Sequence, residues 1–374
     1  MGAIHKVTVP KWGLSMREGK VSGWLKQVGA PVTQGEELVE IESDKIVGSV
    51  DATAGGVLRR QLGKELDVVP VGGLLGVIAD ADVPEAEIDT AIADFLANFS
   101  IEAAAAGETG PQPEKVAVGG GRLRYLVRGE GDDAVILIHG FGGDLKVWLF
   151  NHEALAGQRR VYAIDLPGHG ESTKDVGAGT LDDLASAVAG FMNAVGLDSA
   201  HLVGHSLGGA VALKLAVLQS RRVRSLALVA SAGLGPEIDA GYIEGFVTAA
   251  NRNALKPHAV RLFADTSLVT RQMIDDLLKF KRLEGVDACL RALSGQMLAD
   301  GRQATNLRDE LARLGQPVLV VWGGEDQIIP VSHAAGLPSS VQVAVISGKG
   351  HMVMMEAASE VNRRLNEFWL GLEQ

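Results

Sequence analysis

The sequence predicts a multidomain protein in which a small all-β domain precedes a larger α/β domain. The first 80 residues repeat themselves at an offset of 37 positions, which indicates two similar small sheets. From about residue 122, short β-branched runs alternate with helical stretches, a pattern typical of a parallel sheet covered by helices on both faces. The chain has 374 residues, 47% of them hydrophobic, so at least one large core can form.

The acidity of the chain is concentrated between these two parts. The net charge is −11, and residues 81–114 contribute −8 because they hold eight acidic residues and no Lys or Arg. This Ala- and Pro-rich segment is predicted to be a linker that repels itself and extends. Over residues 85–101 it also has the spacing of an amphipathic helix, whose apolar face would hold Ile88, Ile92, Phe95, Leu96 and Phe99. That helix could pack on a neighbouring domain of the chain or dock another subunit.

Composition excludes several classes of protein. The acidic balance disfavours nucleic-acid binding. A single cysteine, Cys289, excludes an internal disulfide and a cysteine-cluster metal site, and no metal is expected. The chain starts without an apolar signal-peptide stretch, and no segment approaches the uninterrupted apolar length of a membrane span. We therefore expect a cytoplasmic protein without membrane contact.

The repeat in residues 1–80 identifies a candidate modification site. Matched pairs at the common offset include Gly19 with Gly56, and the spacing predicts two short-strand sheets related by a pseudo-two-fold axis. The junction between the two halves has the sequence ESDKI, with Lys45 near its centre. A lysine at such a turn projects into water, where it can be modified and can reach distant sites.

These residues resemble the lipoyl domains of 2-oxo acid dehydrogenase complexes, which are flattened β-barrels. The resemblance covers the whole of residues 1–80, including Trp12 to Gly19 and the stretch VEIESDKI. It implies that one lipoate is attached covalently to Lys45 of each chain. Biotin domains place Met on both sides of their lysine, whereas here the neighbours are Asp44 and Ile46, so lipoate is favoured. Ile46 departs from the more usual Ala.

A candidate nucleophile lies in the α/β part. The sequence GHSLG at residues 204–208 directly follows the predicted strand 201–203 and precedes a helical stretch. Such a strand–turn–helix elbow needs small residues around the serine, and it exposes the serine oxygen in front of the helix amides. Ser206 is the candidate nucleophile.

A serine needs a base, and the base needs an acid that orients it. Asp326 follows the predicted strand 317–322 and is the candidate acid, with Glu325 as the less favoured alternative. His351 lies between the last predicted strand and a helix, in a glycine-flanked loop that could bring it to Ser206. The three residues follow one another in the order nucleophile, acid, base.

An oxyanion needs two backbone donors. By position, the amide of Leu207 is one of them. The loop HGFGG at residues 139–143 follows the predicted strand 134–138 and would supply the other, the amide of Phe141. We expect His139 to support this loop, and the turn at residues 165–172 to be structural.

Residues 116–374 resemble the α/β-hydrolase superfamily. Five landmarks occur in the order typical of that family, namely HGFGG, DLPGHGES, GHSLGG, GGEDQIIP and GKGHMVMME. The resemblance implies a domain over 115–374, with residues 233–300 forming a helical cap. The predicted fold class is therefore a small all-β lipoyl domain followed by an α/β-hydrolase domain with a helical cap.

The chain as a whole resembles the dihydrolipoamide acetyltransferase components of acetoin dehydrogenase complexes. That resemblance implies transfer of an acetyl group from S-acetyl-dihydrolipoyl-lysine to coenzyme A, the co-substrate, through an acetylated Ser206. It also implies thiamine-diphosphate-dependent acetoin dehydrogenase subunits and a dihydrolipoamide dehydrogenase as partners, and a homo-oligomer is expected. Two usual features are absent from the sequence: the His-x-x-x-Asp-Gly motif and a recognisable peripheral subunit-binding domain.

Two alternative functions stay open on the sequence alone. A lipoyl-fused hydrolase would cleave thioesters or C–C bonds, and a carrier or scaffold subunit would have an inactive hydrolase domain. The presence of all three candidate catalytic residues argues against the scaffold.

Overall fold

The computed structural model describes residues 3–10, 12, 16–43, 47–99, 111–157 and 159–372. The chain forms two compact units, Met1–Gly110 and Pro111–Gln374. No helix within the described ranges is long and apolar enough to cross a membrane.

Residues 4–79 of the first unit form a sandwich of two four-stranded antiparallel sheets, counted over the described residues. Its strands are β1 (Ile4–Thr8), β2 (Glu18–Trp24), β3 (Pro31–Val32), β4 (Glu37–Glu42), β5 (Val47–Asp51), β6 (Gly56–Gln61), β7 (Val68–Pro70) and β8 (Leu74–Ala79). One sheet has the order β1-β8-β6-β3 and the other β5-β4-β2-β7. Alternating residues such as Val21, Ile41, Leu58 and Ile78 meet in the core between them.

The internal repeat explains this topology. Strands β2, β3 and β4 recur as β6, β7 and β8 at the offset seen in the sequence. The two central strands of each sheet come from the same half of the repeat. One edge strand of each sheet is a short strand from the other half, so that β3 pairs with β6 and β7 pairs with β2. The two halves therefore exchange strands and share one core.

Lys45 lies between two paired strands in the sequence. Strands β4 and β5 are antiparallel, and their last pair is Glu42 with Val47. Residues 44–46 lie outside the described residues, so the predicted attachment site has no described geometry.

A helix, α1 (Glu85–Asn98), follows the sandwich within the segment predicted to be a linker. Ile88 is fully buried and packs against Val77 and Ala79 of strand β8, while Leu96 is 56% exposed. Glu85 forms ion pairs with Arg59 and Arg60, and Asp89 lies 2.8 Å from Arg60. The start of the segment is thus part of the first unit, because an apolar contact and three ion pairs hold it against the sheet.

The second unit has an eight-stranded sheet, as counted over the described residues. Its strands are β9 (Glu114–Val118), β10 (Gly121–Arg128), β11 (Ala134–Ile138), β12 (Arg160–Ile164), β13 (Ala200–His205), β14 (Val223–Val229), β17 (Val318–Gly323) and β18 (Val341–Ile346), and a separate two-stranded ribbon joins β15 (Leu298–Ala299) to β16 (Arg302–Gln303). The order is β18-β17-β14-β13-β11-β12-β10-β9, and β11 to β14, β17 and β18 run parallel.

Helices cover this sheet, and four of them form a cap. The helices are α2 (Leu149–Leu155), α3 (Leu181–Ala194), α4 (Leu207–Leu218), α5 (Ala240–Thr248), α6 (Arg252–Ala259), α7 (Arg271–Lys281), α8 (Val286–Met297), α9 (Arg308–Leu311), α10 (Val353–Glu356) and α11 (Ala358–Leu370). Helices α5 to α8 fall in the stretch expected to be the cap. The sequence did not lead us to expect the β15–β16 ribbon, because strands of two residues carry no readable period.

The parallel strands end at a common edge, where the candidate residues collect. Loop 139–143 follows β11, Ser206 follows β13, Asp326 follows β17 and His351 follows β18. In open α/β sheets this edge is where ligands bind.

Candidate active site

Ser206 occupies a strained elbow between β13 and α4. Its backbone has φ 53° and ψ −119°, a left-handed conformation that is costly for a residue with a side chain. The elbow is also crowded, because a Cβ at Gly208 would lie 2.3 Å from the Ile138 oxygen. Ser206 donates its own amide to Val229 O at 3.0 Å and is 7% exposed. Glycine thus occupies the position where the elbow lies against the neighbouring strand, and serine occupies the position with the strained backbone.

Asp326 and His351 form a buried pair. His351 Nδ1 lies 2.8 Å from Asp326 Oδ2, and both side chains are almost fully buried. The other carboxylate oxygen, Oδ1, accepts the amides of Ile328 at 2.8 Å and Ile329 at 3.0 Å. Glu325, the alternative acid, is exposed. The carboxylate of Asp326 is therefore held by the chain with one oxygen aimed at the imidazole.

His205, the residue before the candidate nucleophile, connects Ser206 to His351. His205 Nε2 donates a hydrogen bond to the His351 backbone oxygen at 3.0 Å, and the two rings lie 4.7 Å apart. Burial and the neighbouring His351 ring lower the pKa of His205 well below its usual value, so His205 is neutral. His205 is not among the residues predicted from the sequence, although its place directly before Ser206 in the elbow motif is a signal that could have suggested it.

Within the described residues, no hydrogen bond joins Ser206 Oγ to His351 Nε2. Catalytic hydrogen bonds often become short only when substrate is bound. The arrangement therefore places an oriented imidazole beside the Ser206 elbow.

Two backbone amides are available to bind an oxyanion. In the loop after β11, Gly142 donates its amide to His169 Nε2 at 3.0 Å and Gly143 donates to Gly140 O at 3.2 Å. The amides of Phe141 and Leu207 have no acceptor within the described part of the chain. Gly140 packs against Ser206, since a Cβ at this glycine would lie 3.0 Å from Ser206 Cβ. These two amides are thus free to meet a ligand.

Two buried histidines fix the loop that carries Phe141. His139 accepts the amide of Leu166 at 3.0 Å and donates to Gly140 O at 2.8 Å, and its ring lies 4.9 Å from that of His169. Burial lowers the pKa of His139, and burial with the neighbouring His139 lowers that of His169 to about 3. Both rings are neutral supports, as the sequence suggested for His139, and they join the loop to the turn at residues 165–172.

Glu356 links the His351 loop to the cap. Its buried carboxylate accepts the amide of Gly350 at 2.6 Å through Oε2, and the amides of Ala264 and Asp265 at 3.0 and 3.1 Å through Oε1. Met352 also donates its amide to Leu262 O at 3.0 Å. No sequence signal pointed to this residue, because its partners in the cap lie about 90 positions away.

Replacing Glu356 by Gln is expected to lower the turnover number about tenfold and to destabilise the second unit by about 1–3 kcal/mol. The reason is that the NH₂ group of glutamine would face a backbone N–H that now donates to a carboxylate oxygen. The rate at which a fluorophosphonate labels Ser206 measures the effect on the His351 loop. Glu360→Gln is the matched control, because the ion-pair partners of Glu360 in the described part of the chain are exposed arginines of its own helix. Equal labelling rates in both variants and the native chain would show that Glu356 does not affect the active site.

The described residues hold no group of three or more His, Cys, Asp or Glu side chains that could bind a metal ion. Cys289 is buried, its Sγ lies 2.9 Å from Lys174 O, and burial raises the pKa of its thiol. This thiol is therefore a poor nucleophile at neutral pH.

The fold and the site define an α/β-hydrolase domain joined to a domain of the biotin and lipoyl kind. Residues 133–358 match the family model described as alpha/beta hydrolase fold, and residues 5–78 match the one described as biotin-requiring enzyme. A meta-cleavage product hydrolase from Pseudomonas fluorescens has a similar fold, with a TM-score of 0.63 and 24% identity over 69% of this chain and 98% of its own. The predicted fold class is confirmed.

Two relatives are similar along nearly the whole chain. Both are dihydrolipoyllysine-residue acetyltransferase components of acetoin cleaving systems. The one from Pseudomonas putida is 53% identical over 98% of this chain and 99% of its own. The one from Cupriavidus necator is 46% identical over 97% of each. The chain belongs to this family of acetyltransferase components, and the whole-chain resemblance seen in the sequence is confirmed.

Proposed function

We propose that this chain transfers an acetyl group from S-acetyl-dihydrolipoyl-Lys45 to coenzyme A, through an acetylated Ser206, during acetoin breakdown. The observation that carries the proposal is the buried pair of His351 and Asp326 beside the Ser206 elbow, on a chain that also has a lipoyl domain. The names of the two near-full-length relatives support the acyl donor and the pathway.

Lys45 is the proposed attachment point for lipoate. In the sequence, Lys45 falls between the paired strands β4 and β5, at the junction of the two repeats, and this position supports its role as the carrier lysine. When bound, lipoate supplies a thiol that carries the acetyl group as a thioester. Thiamine-diphosphate-dependent subunits would load it and a dihydrolipoamide dehydrogenase would reoxidise the dithiol.

In the first half of the reaction, Ser206 Oγ attacks the thioester carbonyl carbon while His351 Nε2 accepts the serine proton. Asp326 keeps the Nδ1 proton in place and stabilises the imidazolium. The amides of Phe141 and Leu207 bind the oxyanion. The C–S bond then breaks, and His351 returns the proton to the leaving sulfur.

In the second half, coenzyme A attacks the acetylated Ser206, with His351 as the base. The thiol proton moves to His351, a new C–S bond forms, and the ester bond breaks as the proton returns to Ser206 Oγ. Water competes at this step, so the cap must keep the site dry for transfer to prevail.

The test supplies acetyl-dihydrolipoamide to the full chain, with and without coenzyme A, and measures acetyl-coenzyme A and acetate. Acetyl-coenzyme A as the main product supports the proposal. Acetate at the same rate in both reactions would show a thioester hydrolase, and the absence of both products would show a carrier subunit.

Replacing Lys45 by Arg is expected to abolish flux from the thiamine-dependent subunits while leaving transfer from free acetyl-dihydrolipoamide unchanged. Arginine keeps the charge and offers no acylable amine. The intact-protein mass should also lack the lipoyl group, once the mass difference between arginine and lysine is subtracted. Unchanged flux through the assembled system would contradict the role of Lys45.

A further inference from the structure

The cap contains a basic region within an acidic chain. Residues 252–291, which span helices α6 and α7 and part of α8, hold eight basic and five acidic residues, whereas the net charge of the chain is −11. This basic excess is local, and the two halves of the proposed reaction do not account for it.

A cavity of about 540 Å³ lies between the start of α6 and one face of α7. Its cations are Arg252, Lys279 and Arg282. Arg252 binds Asp275 through Nε and Nη2, and its Nη1 donors have no acceptor among the described residues. Lys279 forms an ion pair with Asp276 at 3.1 Å. The ion pairs therefore hold these side chains in place, while some of their N–H groups remain able to bind a ligand.

A second cavity of about 350 Å³ adjoins the first and shares Leu278 and Arg282 with it. It lies between the end of α5, the end of α7 and the start of α8, and its lining includes Lys281 and Arg291. Arg291 pairs with Asp287 at 2.8 Å. The side chain of Arg282, at the junction of the two cavities, has no hydrogen-bond or ion-pair partner among the residues that the structure describes.

The same end of α7 lies over the oxyanion loop. Phe280 stacks on His169, with ring centroids 6.3 Å apart, and His169 binds the amide of Gly142. Lys281 donates to Val247 O at 3.1 Å and lies 5.1 Å from the ring centre of Phe246. Phe246 in turn contacts Phe141 edge to face, with centroids 5.9 Å apart. The basic cavities are thus one layer of side chains away from the amides proposed to bind the oxyanion.

We propose that the two adjoining cavities bind the phosphate-bearing nucleotide end of coenzyme A, with Arg252, Lys279 and Arg282 as the phosphate contacts. The inference rests on the proposed function, because it assumes that coenzyme A is the acetyl acceptor. Guanidinium and ammonium groups are the side chains that bind phosphates most strongly, and a long pantetheine arm would then lead from the cap surface toward Ser206.

The test compares Arg282→Glu with Arg271→Glu in the full chain. Arg271 begins α7 and Arg282 directly follows its last residue. Both are exposed, and both exchanges change the charge equally, but Arg271 lines neither cavity. Calorimetric titration measures the Kd for coenzyme A, dephospho-coenzyme A and pantetheine. Steady-state assays measure KM for coenzyme A and for acetyl-dihydrolipoamide. Thermal unfolding checks that both variants are folded, and Lys279→Glu is a second cavity variant.

In Arg282→Glu we expect the Kd and KM for coenzyme A to rise about 10–100-fold, because a charge-assisted hydrogen bond is lost and a repulsion is added. The values for pantetheine and acetyl-dihydrolipoamide should stay those of the native chain, as should all values in Arg271→Glu. The inference is overturned if the native chain does not bind coenzyme A, if neither cavity variant weakens binding, or if only the KM for acetyl-dihydrolipoamide rises. Acetate formation with intact, Arg282-dependent binding of coenzyme A would instead count against the proposed function alone.

Discussion

Replacing Ser206 by Ala is expected to lower the rate of acetyl transfer to coenzyme A by about 10⁴–10⁶-fold. The variant has no hydroxyl group at the elbow, so the acetylated-serine intermediate between the lipoyl thioester and coenzyme A cannot form. Because His351, Asp326 and the free amides remain, a residual rate above the uncatalysed reaction should persist. The rate of acetyl-coenzyme A formation measures the loss, and mass spectrometry of the quenched native enzyme should find the acetyl group on the peptide that contains Ser206.

The control for this variant is Ser225→Ala. Ser225 is a fully buried serine on the neighbouring strand β14, where its hydroxyl lies 2.7 Å from His201 Nδ1. It lies toward the amino end of that strand, away from the edge that carries the candidate residues. Transfer by Ser225→Ala should match that of the native enzyme at a temperature where both are folded. A Ser206→Ala enzyme with native transfer rates would refute the covalent route.

The sequence predicted the candidate residues because each follows a strand in a recognisable order. Ser206, Asp326 and His351 are spread over about 145 positions, yet all three follow parallel strands, and such strands end at one edge of the sheet. Their convergence is therefore a consequence of topology. The bonds that hold them are not, because the hydrogen bond of His205 to His351 and the contacts of Glu356 with the cap depend on side-chain packing between distant segments.

The first unit shows the same division between pattern and packing. The offset of the repeat predicted two similar sheets, but it carries no information on which short strand crosses to the other sheet. The helical spacing of Ile88 and Leu96 predicted one apolar face, whereas the structure buries Ile88 and leaves Leu96 mostly exposed. The pairing of Glu85 with Arg59 and Arg60 aligns the helix on the sheet, and no local pattern encodes such a long-range pair.

The cap contacts both the His351 loop and the loop that carries Phe141, through different residues. Glu356 joins the cap segment at residues 264–265 to the His351 loop, and Phe246 joins helix α5 to Phe141. Binding at the cap could therefore influence the His351 loop and the loop that carries Phe141 together. This arrangement suits a transferase, because the site should be most active when the acceptor excludes water from it.

Replacing Asp326 by Asn is expected to lower the turnover number by about 10⁴-fold, the magnitude found for this exchange in a Ser-His-Asp triad. The amides of Ile328 and Ile329 both donate to Oδ1, so the amide oxygen of an asparagine would take that place. Its NH₂ group would then face His351 Nδ1 and donate to it. The ring proton would move to Nε2, where the imidazole can no longer accept the proton of Ser206.

The opposite orientation of the asparagine is unfavourable, because its NH₂ group would then face two backbone N–H donors in a buried site. The control is Glu325→Gln, which neutralises the adjacent but exposed carboxylate and should leave turnover unchanged. Proton NMR can detect the changed tautomer of His351, since the Nδ1 proton bound to Asp326 should vanish in Asp326→Asn and persist in Glu325→Gln. A loss of less than about tenfold in Asp326→Asn would mean that Asp326 only supports the loop, and the orienting acid would then have to be sought elsewhere.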